Sequence, residues 1–351
     1  MSVSSEITGI GVYIPKRKIS NDDVLEMMKQ KSEPYLKKEE LDEILTVASE
    51  RLAKAGNVTR YWCDDDEYCT DIAYRASLAA LEDAGLEAGD LDLIIFTGMS
   101  KAFVEPATAH VLRHKLQALR ANVIDTQDAC TSFIKSMEIG HALIRSGHYS
   151  RVLVVAGERT FDWADMVCKT RDELAWKFGS LTIGDGAGAV ILEATDNMMY
   201  AVDGGHMRFS YELSDGHYHL CTIGLNYKLG ERYKLYTHTP DLFKSAYVVT
   251  RDCVKNYFHG TNGTGVVYDN LFFHDVGKLA QDSILSFLAD SSITVRNPAS
   301  SFYPEYGNVA SVSLPLSMWR ARGNGYFKKG NLALCIIPAS GTQCGIVSLR
   351  Y

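Results

Sequence analysis

Cys130 has the side-chain type and the position needed for acyl-transfer chemistry. It follows a polar turn, Thr126-Gln-Asp-Ala129, and stands at the start of a predicted helix, Ser132 to Arg145. The positive end of a helix dipole favours a thiolate, so we expect a lowered pKa and a nucleophile that attacks a thioester carbonyl. A buried structural thiol is the alternative explanation for a cysteine at this position.

His274 and Asn308 stand at similar junctions in the second half of the chain. His274 ends the apolar run Leu271-Phe-Phe273 and begins a turn, so it is either a catalytic imidazole or an ordinary core histidine. Asn308 follows Gly307 and precedes a helix of small residues. An asparagine there caps a helix or donates its amide to a developing oxyanion.

Glu105 is a further candidate, because it lies directly before Pro106 in the segment Ala102 to His110. From the residues alone, a solvated glutamate before a helix is the favoured interpretation, since glutamate is rarely buried without a partner.

Composition excludes several classes of protein. The chain has 351 residues, 46% apolar and 23% charged, which excludes a disordered, collagen-like or coiled-coil chain. A net charge of −7 gives no overall reason to bind nucleic acid. We find no apolar run long enough for a membrane span and no signal peptide, and therefore expect a cytoplasmic protein. The eight cysteines form no Cys-x-x-Cys pair, so we expect free thiols and no metal site.

The elements needed to position these side chains repeat along the chain. Each half reads strand, helix, strand, strand, with Cys130 and Asn308 before corresponding helices. This pattern predicts a layered α/β/α/β/α body with two pseudo-symmetric halves. We place the N-terminal half at 1–196, with a helical insertion near 31–60, and the C-terminal half at 197–351. Predicted helices cover 71–84, 132–145, 245–257 and 310–322, and predicted strands cover 6–15, 91–97, 151–156, 189–192, 268–273, 331–337 and 344–349.

Motifs along nearly the whole chain resemble those of the thiolase superfamily, closest to ketoacyl synthase III. The similar segments are Asp128-Ala-Cys130-Thr-Ser-Phe133, Ile183-Gly-Asp-Gly-Ala-Gly-Ala189, Phe273-His274, Tyr306-Gly-Asn308-Val-Ala-Ser-Val-Ser313 and Ala339-Ser-Gly-Thr-Gln-Cys-Gly345. The glycine turn at Gly184 leads into a strand and has no lysine, so it is neither a P-loop nor a dinucleotide fingerprint.

The resemblance implies a thiolase fold, five-layered αβαβα, and a role for each residue. Cys130 would take an acyl group from a thioester of coenzyme A or an acyl carrier protein. His274 and Asn308 would hold the second substrate's carbonyl. The backbone N–H groups of Cys130 and Ser340 would form the oxyanion hole. No redox cofactor is required, because the thioesters are the substrates. An acidic carrier protein would dock on basic residues, for which Lys278 and Lys228 are the candidates.

Departures from the family pattern indicate a specialised branch. Asp275, Val276 and Gly277 follow His274 where the family usually has Gln-Ala-Asn. Glu105 replaces the phenylalanine usual before this proline, and it resembles the glutamate of α-pyrone-forming ketosynthases and of olefin-pathway head-to-head condensing enzymes. In that branch the carboxylate enters the partner's site as a base. A carboxylate in an apolar channel has a raised pKa, which suits removal of an α-proton.

These features together predict a homodimer that joins two acyl thioesters, the second an acyl or 3-oxoacyl thioester that could close to a pyrone. Two other reactions fit the same residues. One is the decarboxylative condensation of a ketoacyl synthase III with a malonyl thioester. The other is Cys-dependent acyl transfer to an alcohol or amine. A non-catalytic partner subunit is a different class, against which the complete set of Cys130, His274 and Asn308 speaks.

Overall fold

The structure, a computed structural model, describes residues 4–197, 207–214, 217–224, 233–259, 266–298 and 300–351. Lys228, one of the two lysines considered for carrier-protein docking, lies outside the described residues.

Two five-stranded sheets dominate the described part of the chain. The strands are β1 (Ser4–Tyr13), β2 (Arg17–Ser20), β3 (Thr59–Trp62), β4 (Leu93–Thr97), β5 (Asn122–Thr126), β6 (Arg151–Glu158), β7 (Gly186–Thr195), β8 (Met207–Leu213), β9 (Cys221–Ile223), β10 (Leu235–Thr237), β11 (Val267–Phe273), β12 (Thr294–Pro298), β13 (Leu332–Ala339) and β14 (Gln343–Arg350). The α-helices are α1 (Asn21–Ser32), α2 (Lys38–Ala55), α3 (Cys69–Ala84), α4 (Ala109–Leu116), α5 (Ser132–Arg145), α6 (Leu174–Lys177), α7 (Thr239–Phe258), α8 (Lys278–Asp290), α9 (Tyr303–Tyr306) and α10 (Ser313–Gly323).

The two sheets repeat one topology. The first has the order β5-β4-β6-β7-β1, and the second has the order β12-β11-β13-β14-β8. In each, the first three strands run parallel and the last two join by antiparallel pairing. Strand β4 therefore corresponds to β11, and β6 corresponds to β13. This repetition confirms the predicted pseudo-symmetric halves, and it puts corresponding loops at corresponding sheet ends.

Helices cover both faces of each sheet, which gives five layers. The central core joins side chains of α5 and α10 to both sheets, including Phe133, Leu314, Val154 and Cys335. Alanines of α3 pack on the outer face of the first sheet, and α7 and α8 pack on the outer face of the second. Because α5 and α10 are covered by a sheet on each side, the residues at their N-termini are held inside the molecule.

Small residues set the spacing between α3 and the first sheet. A Cβ atom added to Gly11 of β1 would lie 2.1 Å from the carbonyl oxygen of Ala76 in α3. The helix presents alanines along this face, including Ala76 and Ala80, both fully buried. Glycine facing alanine therefore allows a close helix–sheet contact that larger side chains would separate.

Helices α1 and α2 lie between β2 and β3; α2 falls within the predicted insertion near 31–60, and α1 precedes it and ends at Ser32. Ser20 caps α1 by accepting a hydrogen bond from the backbone N–H of Asp23, and Gly56 ends α2 at φ +80°. Serine is a preferred N-cap residue, and glycine readily adopts the left-handed conformation that ends a helix. Strands β2 and β3 flank these helices and pair with each other, and the sequence did not predict that pairing.

Candidate active site

Cys130 lies in a 3₁₀ turn, Ala129–Thr131, that runs directly into α5. The preceding Ala129 has φ +47°, a left-handed conformation that is uncommon outside glycine. Asp128 is held in place by Lys135 and by Gln343, whose Nε2 donates to Asp128 Oδ1 over 2.8 Å. The turn thus fixes Cys130 at the helix N-terminus, as the sequence predicted.

The expectation of a lowered thiol pKa at Cys130 was wrong. Burial raises the pKa of this thiol, and the neighbouring Cys221 and the negative charge of Glu158 raise it further. A hydrogen bond from the backbone N–H of Ser340 opposes the rise. The effect of desolvation on the thiol pKa outweighs that of the helix dipole, because Cys130 packs against the central core between the two sheets. Cys130 is therefore a thiol at neutral pH and needs a base to become a nucleophile.

Ser340 follows the last residue of β13 and reaches Cys130 through its backbone N–H. A backbone donor at this position agrees in place with the predicted oxyanion hole, which stays a prediction. The Ser340 side chain also hydrogen-bonds the thiol of Cys221, which lies 3.3 Å from Thr237 Oγ1.

His274 follows β11 and is 4% exposed. Its backbone N–H donates to the carbonyl of Ile336 in β13 over 3.1 Å, and its Nδ1 lies 2.8 Å from Ser313 Oγ. Burial lowers the pKa of His274 to about 4, so the imidazole is neutral at physiological pH. The serine hydroxyl can accept from Nδ1–H or donate to an unprotonated Nδ1, and it therefore supports either tautomer.

Asn308 lies in a turn fixed on both sides. Its backbone N–H donates to Thr182 over 2.8 Å, and its carbonyl accepts from Gly184 over 2.9 Å. Its side-chain Oδ1 accepts from the backbone N–H of Ala310 over 2.9 Å, which leaves Nδ2 as a donor. The glycine turn at Gly184 thus serves as a backbone support for the Asn308 turn.

Asp275 explains the departure from the family pattern after His274. Its buried carboxylate accepts hydrogen bonds from Ser301 Oγ over 2.7 Å and from the backbone N–H groups of Phe302 and Tyr303 over 2.8 and 3.1 Å. These residues lead into the Asn308 turn. Asp275 therefore ties the His274 turn to the Asn308 turn.

Glu105 stands apart from the other candidate residues of its own chain. It lies on an exposed loop beside Phe103 and Val104, which are 52% and 97% exposed. Two ordered contacts hold the base of the loop, since the Asp125 carboxylate accepts from the backbone N–H groups of Thr108 and Ala109. Strand β13 connects the turns of Cys130 and His274, and Asp275 connects the turns of His274 and Asn308. Glu105 has none of these contacts and is exposed.

Glu158, Ser311 and Ser313 were missed by sequence reasoning. Glu158 ends β6 and is fully buried, and Ser311 Oγ donates to its Oε1 over 2.6 Å. A signal for Glu158 was present, since an acidic residue directly ends the apolar run Val152 to Gly157.

Surface cavities of the described residues lie elsewhere. One of about 520 Å³ is lined by Glu67, Asp71, Arg75 and Lys115, and one of about 310 Å³ is lined by residues such as Arg51 and Trp176. Over the described ranges, no group of three or more metal-ligating side chains is placed to hold an ion. Nor does any helix of those ranges have the length and apolarity to cross a membrane.

Comparisons with known proteins agree with the fold. Residues 124–208 match the family model of 3-oxoacyl-[acyl-carrier-protein] synthase III. The beta-ketoacyl-[acyl-carrier-protein] synthase III of Rhizobium johnstonii is 29% identical over 99% of this chain and 100% of its own length. The structure of the 3-oxoacyl-[acyl-carrier-protein] synthase III of Aquifex aeolicus has a TM-score of 0.75 at 24% identity, covering 99% of this chain and 100% of that one.

The chain is thus similar to ketoacyl synthase III proteins over nearly its whole length, and it has their fold. A variant of OleA from Xanthomonas campestris shares the same fold, with a TM-score of 0.81 at 20% identity over 100% of this chain and 99% of that chain. Another OleA structure, with a TM-score of 0.79, holds lauric acid and lauroyl-CoA. These likenesses confirm the predicted thiolase fold, and the similar proteins are named as condensing synthases.

Proposed function

We propose that this ketoacyl synthase III-like protein joins two acyl thioesters through an acyl-enzyme on Cys130. The observation that carries the proposal is that strand β13 connects the surroundings of Cys130 and His274. His274 and Ser340 are linked to the same strand, β13, and Ser340 hydrogen-bonds the Cys130 thiol. A thiol that is protonated at rest needs a neutral base, and His274 supplies one.

Acylation begins when the Cys130 sulfur attacks the first thioester. Nε2 of the neutral His274 accepts the thiol proton, while Ser313 Oγ accepts from Nδ1–H. The bond from Cys130 to the acyl carbon forms, the carrier's sulfur leaves, and the proton passes to that sulfur. The backbone N–H groups of Cys130 and Ser340 stabilise the oxyanion, and each such donor is typically worth about 3 kcal/mol.

Condensation follows with the second thioester. Asn308 Nδ2 and His274 Nε2–H hold its carbonyl oxygen as the α-carbon becomes enolate-like. The α-carbon, once a base has removed its proton, attacks the acyl-enzyme and the new carbon–carbon bond forms. Cys130 leaves as a thiolate that takes back the proton from that base. The role of His274 requires Nε2 protonated and Nδ1 free, so between the two steps the imidazole gains a solvent proton at Nε2 and releases one from Nδ1, and the rotating hydroxyl of Ser313 supports both forms.

Glu105 of the partner subunit removes the α-proton in this proposal. Its outward loop supports the assignment, because an exposed segment containing Phe103 and Val104 has apolar surface to bury in an interface. Strand β5 is the edge strand of the first sheet and lies close to this loop through Asp125. Pairing of the two β5 edges in a homodimer would bring the loop of one subunit to the other. A 3-oxoacyl second substrate could then close to a pyrone.

The substrates are thioesters of coenzyme A or of an acyl carrier protein, with no further cofactor. The relatives' names specify a carrier protein, and the OleA structure holds lauroyl-CoA. Lys278 begins α8 and is exposed, so it is available to an acidic carrier. A cytoplasmic location stays a prediction.

Decarboxylative condensation with a malonyl thioester is the second candidate function. It is favoured by the relatives named beta-ketoacyl-[acyl-carrier-protein] synthase III, which match 98–99% of this chain at 27–29% identity. Cys130, His274 and Asn308 suit it equally.

Product analysis separates the two candidates. Purified protein is incubated with one acyl thioester plus either a second acyl or 3-oxoacyl thioester or a malonyl thioester, and products and released carbon dioxide are measured. The proposal predicts condensed product without carbon dioxide, and a loss of that product in Glu105→Gln. Product formed only with malonyl thioester, with release of carbon dioxide and no effect of Glu105→Gln, would support the second candidate instead.

A further inference from the structure

Glu158 is a buried carboxylate to which the mechanism above assigns no role. It is 0% exposed, and no Lys, Arg or His of the described residues forms a salt bridge with it. Its Oε2 accepts from the backbone N–H groups of Met99 and Ser100 over 3.2 and 3.1 Å, and its Oε1 accepts from Ser311 Oγ over 2.6 Å. A buried charge is tolerated only where such donors replace water.

These donors come from two loops that carry candidate catalytic residues. Met99 and Ser100 begin the loop that leads to Glu105, and Ser311 lies three residues after Asn308. The approach is close, because a Cβ atom at Gly98 would lie 2.5 Å from Glu158 Oε1. Gly98 also has φ +108°, a conformation that glycine adopts readily.

The pseudo-symmetry of the fold gives this contact a counterpart at the nucleophile. Ala129 and Ala310 have φ of +47° and +49° and begin corresponding turns before α5 and α10. Cys130 and Ser311 are the next residues of those turns. Ser340, directly after β13, donates to Cys130, whereas Glu158, at the end of the corresponding β6, accepts from Ser311. Glu158 thus contacts the turn of the second half that corresponds to the Cys130 turn of the first half.

We propose that Glu158 is a positioning residue for condensation, which fixes the Glu105 loop relative to the Asn308 turn. This inference rests on the proposed function. Acylation of Cys130 depends on Ser340 and His274, which Glu158 does not contact. Condensation depends on the carbonyl held by Asn308 and the base on the loop. Loss of the carboxylate therefore affects the second step more than the first.

The test compares Glu158→Ala and Glu158→Gln with a matched control, Asp92→Ala. The Asp92 carboxylate likewise accepts from two backbone N–H groups, those of Ser150 and Arg151, over 2.8 and 2.9 Å. Asp92 directly precedes β4, at the end of the strand opposite to Met99 and Ser100. Acylation is measured by intact mass, condensation by product, and the exchange of the Met99 and Ser100 amides by hydrogen–deuterium exchange.

Glu158→Ala is expected to lower the ratio of condensation to acylation about tenfold or more, since small misplacements of reacting groups are costly. The Met99 and Ser100 amides should exchange faster. Glu158→Gln should restore most condensation, because its amide can accept from the backbone and donate to Ser311. In both variants, alkylation of Cys130 at pH 8 should be faster, since removal of a nearby negative charge lowers the thiol pKa. Asp92→Ala should change none of these readouts.

An equal loss of acylation and condensation in Glu158→Ala, without rescue by glutamine, would overturn the proposal in favour of a general structural role. An unchanged ratio would also overturn it. If Glu158→Ala does not fold, Ser311→Ala provides the second variant. It should reduce condensation and leave the hydrogen–deuterium exchange of the Met99 and Ser100 amides unchanged. Amide exchange and alkylation need no acyl substrate, so they report on Glu158 even if the proposed reaction fails in the wild-type protein.

Discussion

At the scale of single residues, the state of protonation decides how the site works. Cys130 is half-buried, and desolvation raises the pKa of its thiol, whereas burial lowers the pKa of the His274 imidazole to about 4. Both effects favour the uncharged form of the side chain. The charge separation needed for attack then develops only with substrate bound, when the oxyanion donors can stabilise it.

Stability should depend on pH through His274. Its pKa is about 4 in the folded protein and about 6.5 when unfolded, so the unfolded chain binds more protons between these values. The contribution of neutral His274 to the free energy of unfolding is complete above about pH 6.5 and is lost as the pH falls toward 4. Thermal unfolding at pH 7 and pH 5 should show a larger loss for the wild type than for His274→Asn. A parallel loss in the two proteins would contradict the assigned pKa.

At the scale of elements, contacts between glycine and alanine set the distance between α3 and the first sheet. A Cβ atom added to Gly11 would lie 2.1 Å from the backbone of α3, whereas a Cβ atom added to Gly89 would have no neighbour within 4 Å. A methyl group at Gly11 must therefore push the helix away, and one at Gly89 meets open space.

Gly11→Ala should lower the free energy of unfolding by about 1–3 kcal/mol, the usual cost of overpacking. Gly89→Ala is the control and should change it by less than about 0.5 kcal/mol. Denaturant unfolding measures both. Equal effects of the two substitutions would show that the α3 contact does not set the spacing.

The sequence predicted the regular elements because their apolar periods are local features. The helix at Ser132 to Arg145 is observed with the same bounds. The strand predicted at 91–97 is observed as β4, and all of its residues are buried. The β2–β3 pair was missed, since Arg17 and Lys18 give its short first strand a polar character. The raised pKa of Cys130 could not be predicted, because desolvation depends on both sheets that cover it. Glu158 was missed for the same reason, since its donors come from distant loops.

At the scale of the whole molecule, the account requires each site to be completed by the other subunit. Glu105 lies on an outward loop, while the surroundings of Cys130 and Asn308 are built within one chain. Two variants that are each inactive should therefore complement one another when their subunits are mixed.

Subunits of Cys130→Ser and Glu105→Gln, dissociated together and reassociated, should recover about a quarter of the wild-type condensation per site, because half the dimers are mixed and each has one complete site. Cys130→Ser mixed with Asn308→Ala is the control and should recover nothing, since both residues belong to the same site. Absence of recovery in the first mixture would contradict a base supplied by the partner.

The acyl-enzyme on Cys130 is the central claim, and intact-protein mass tests it most directly. The wild-type protein, Cys130→Ser and Cys221→Ser are each incubated with a panel of acyl thioesters of coenzyme A and of acyl carrier protein. We predict an acyl-sized increase in the wild type and in Cys221→Ser, and none in Cys130→Ser. An increase that persists in Cys130→Ser, or no increase with any donor, would contradict the mechanism.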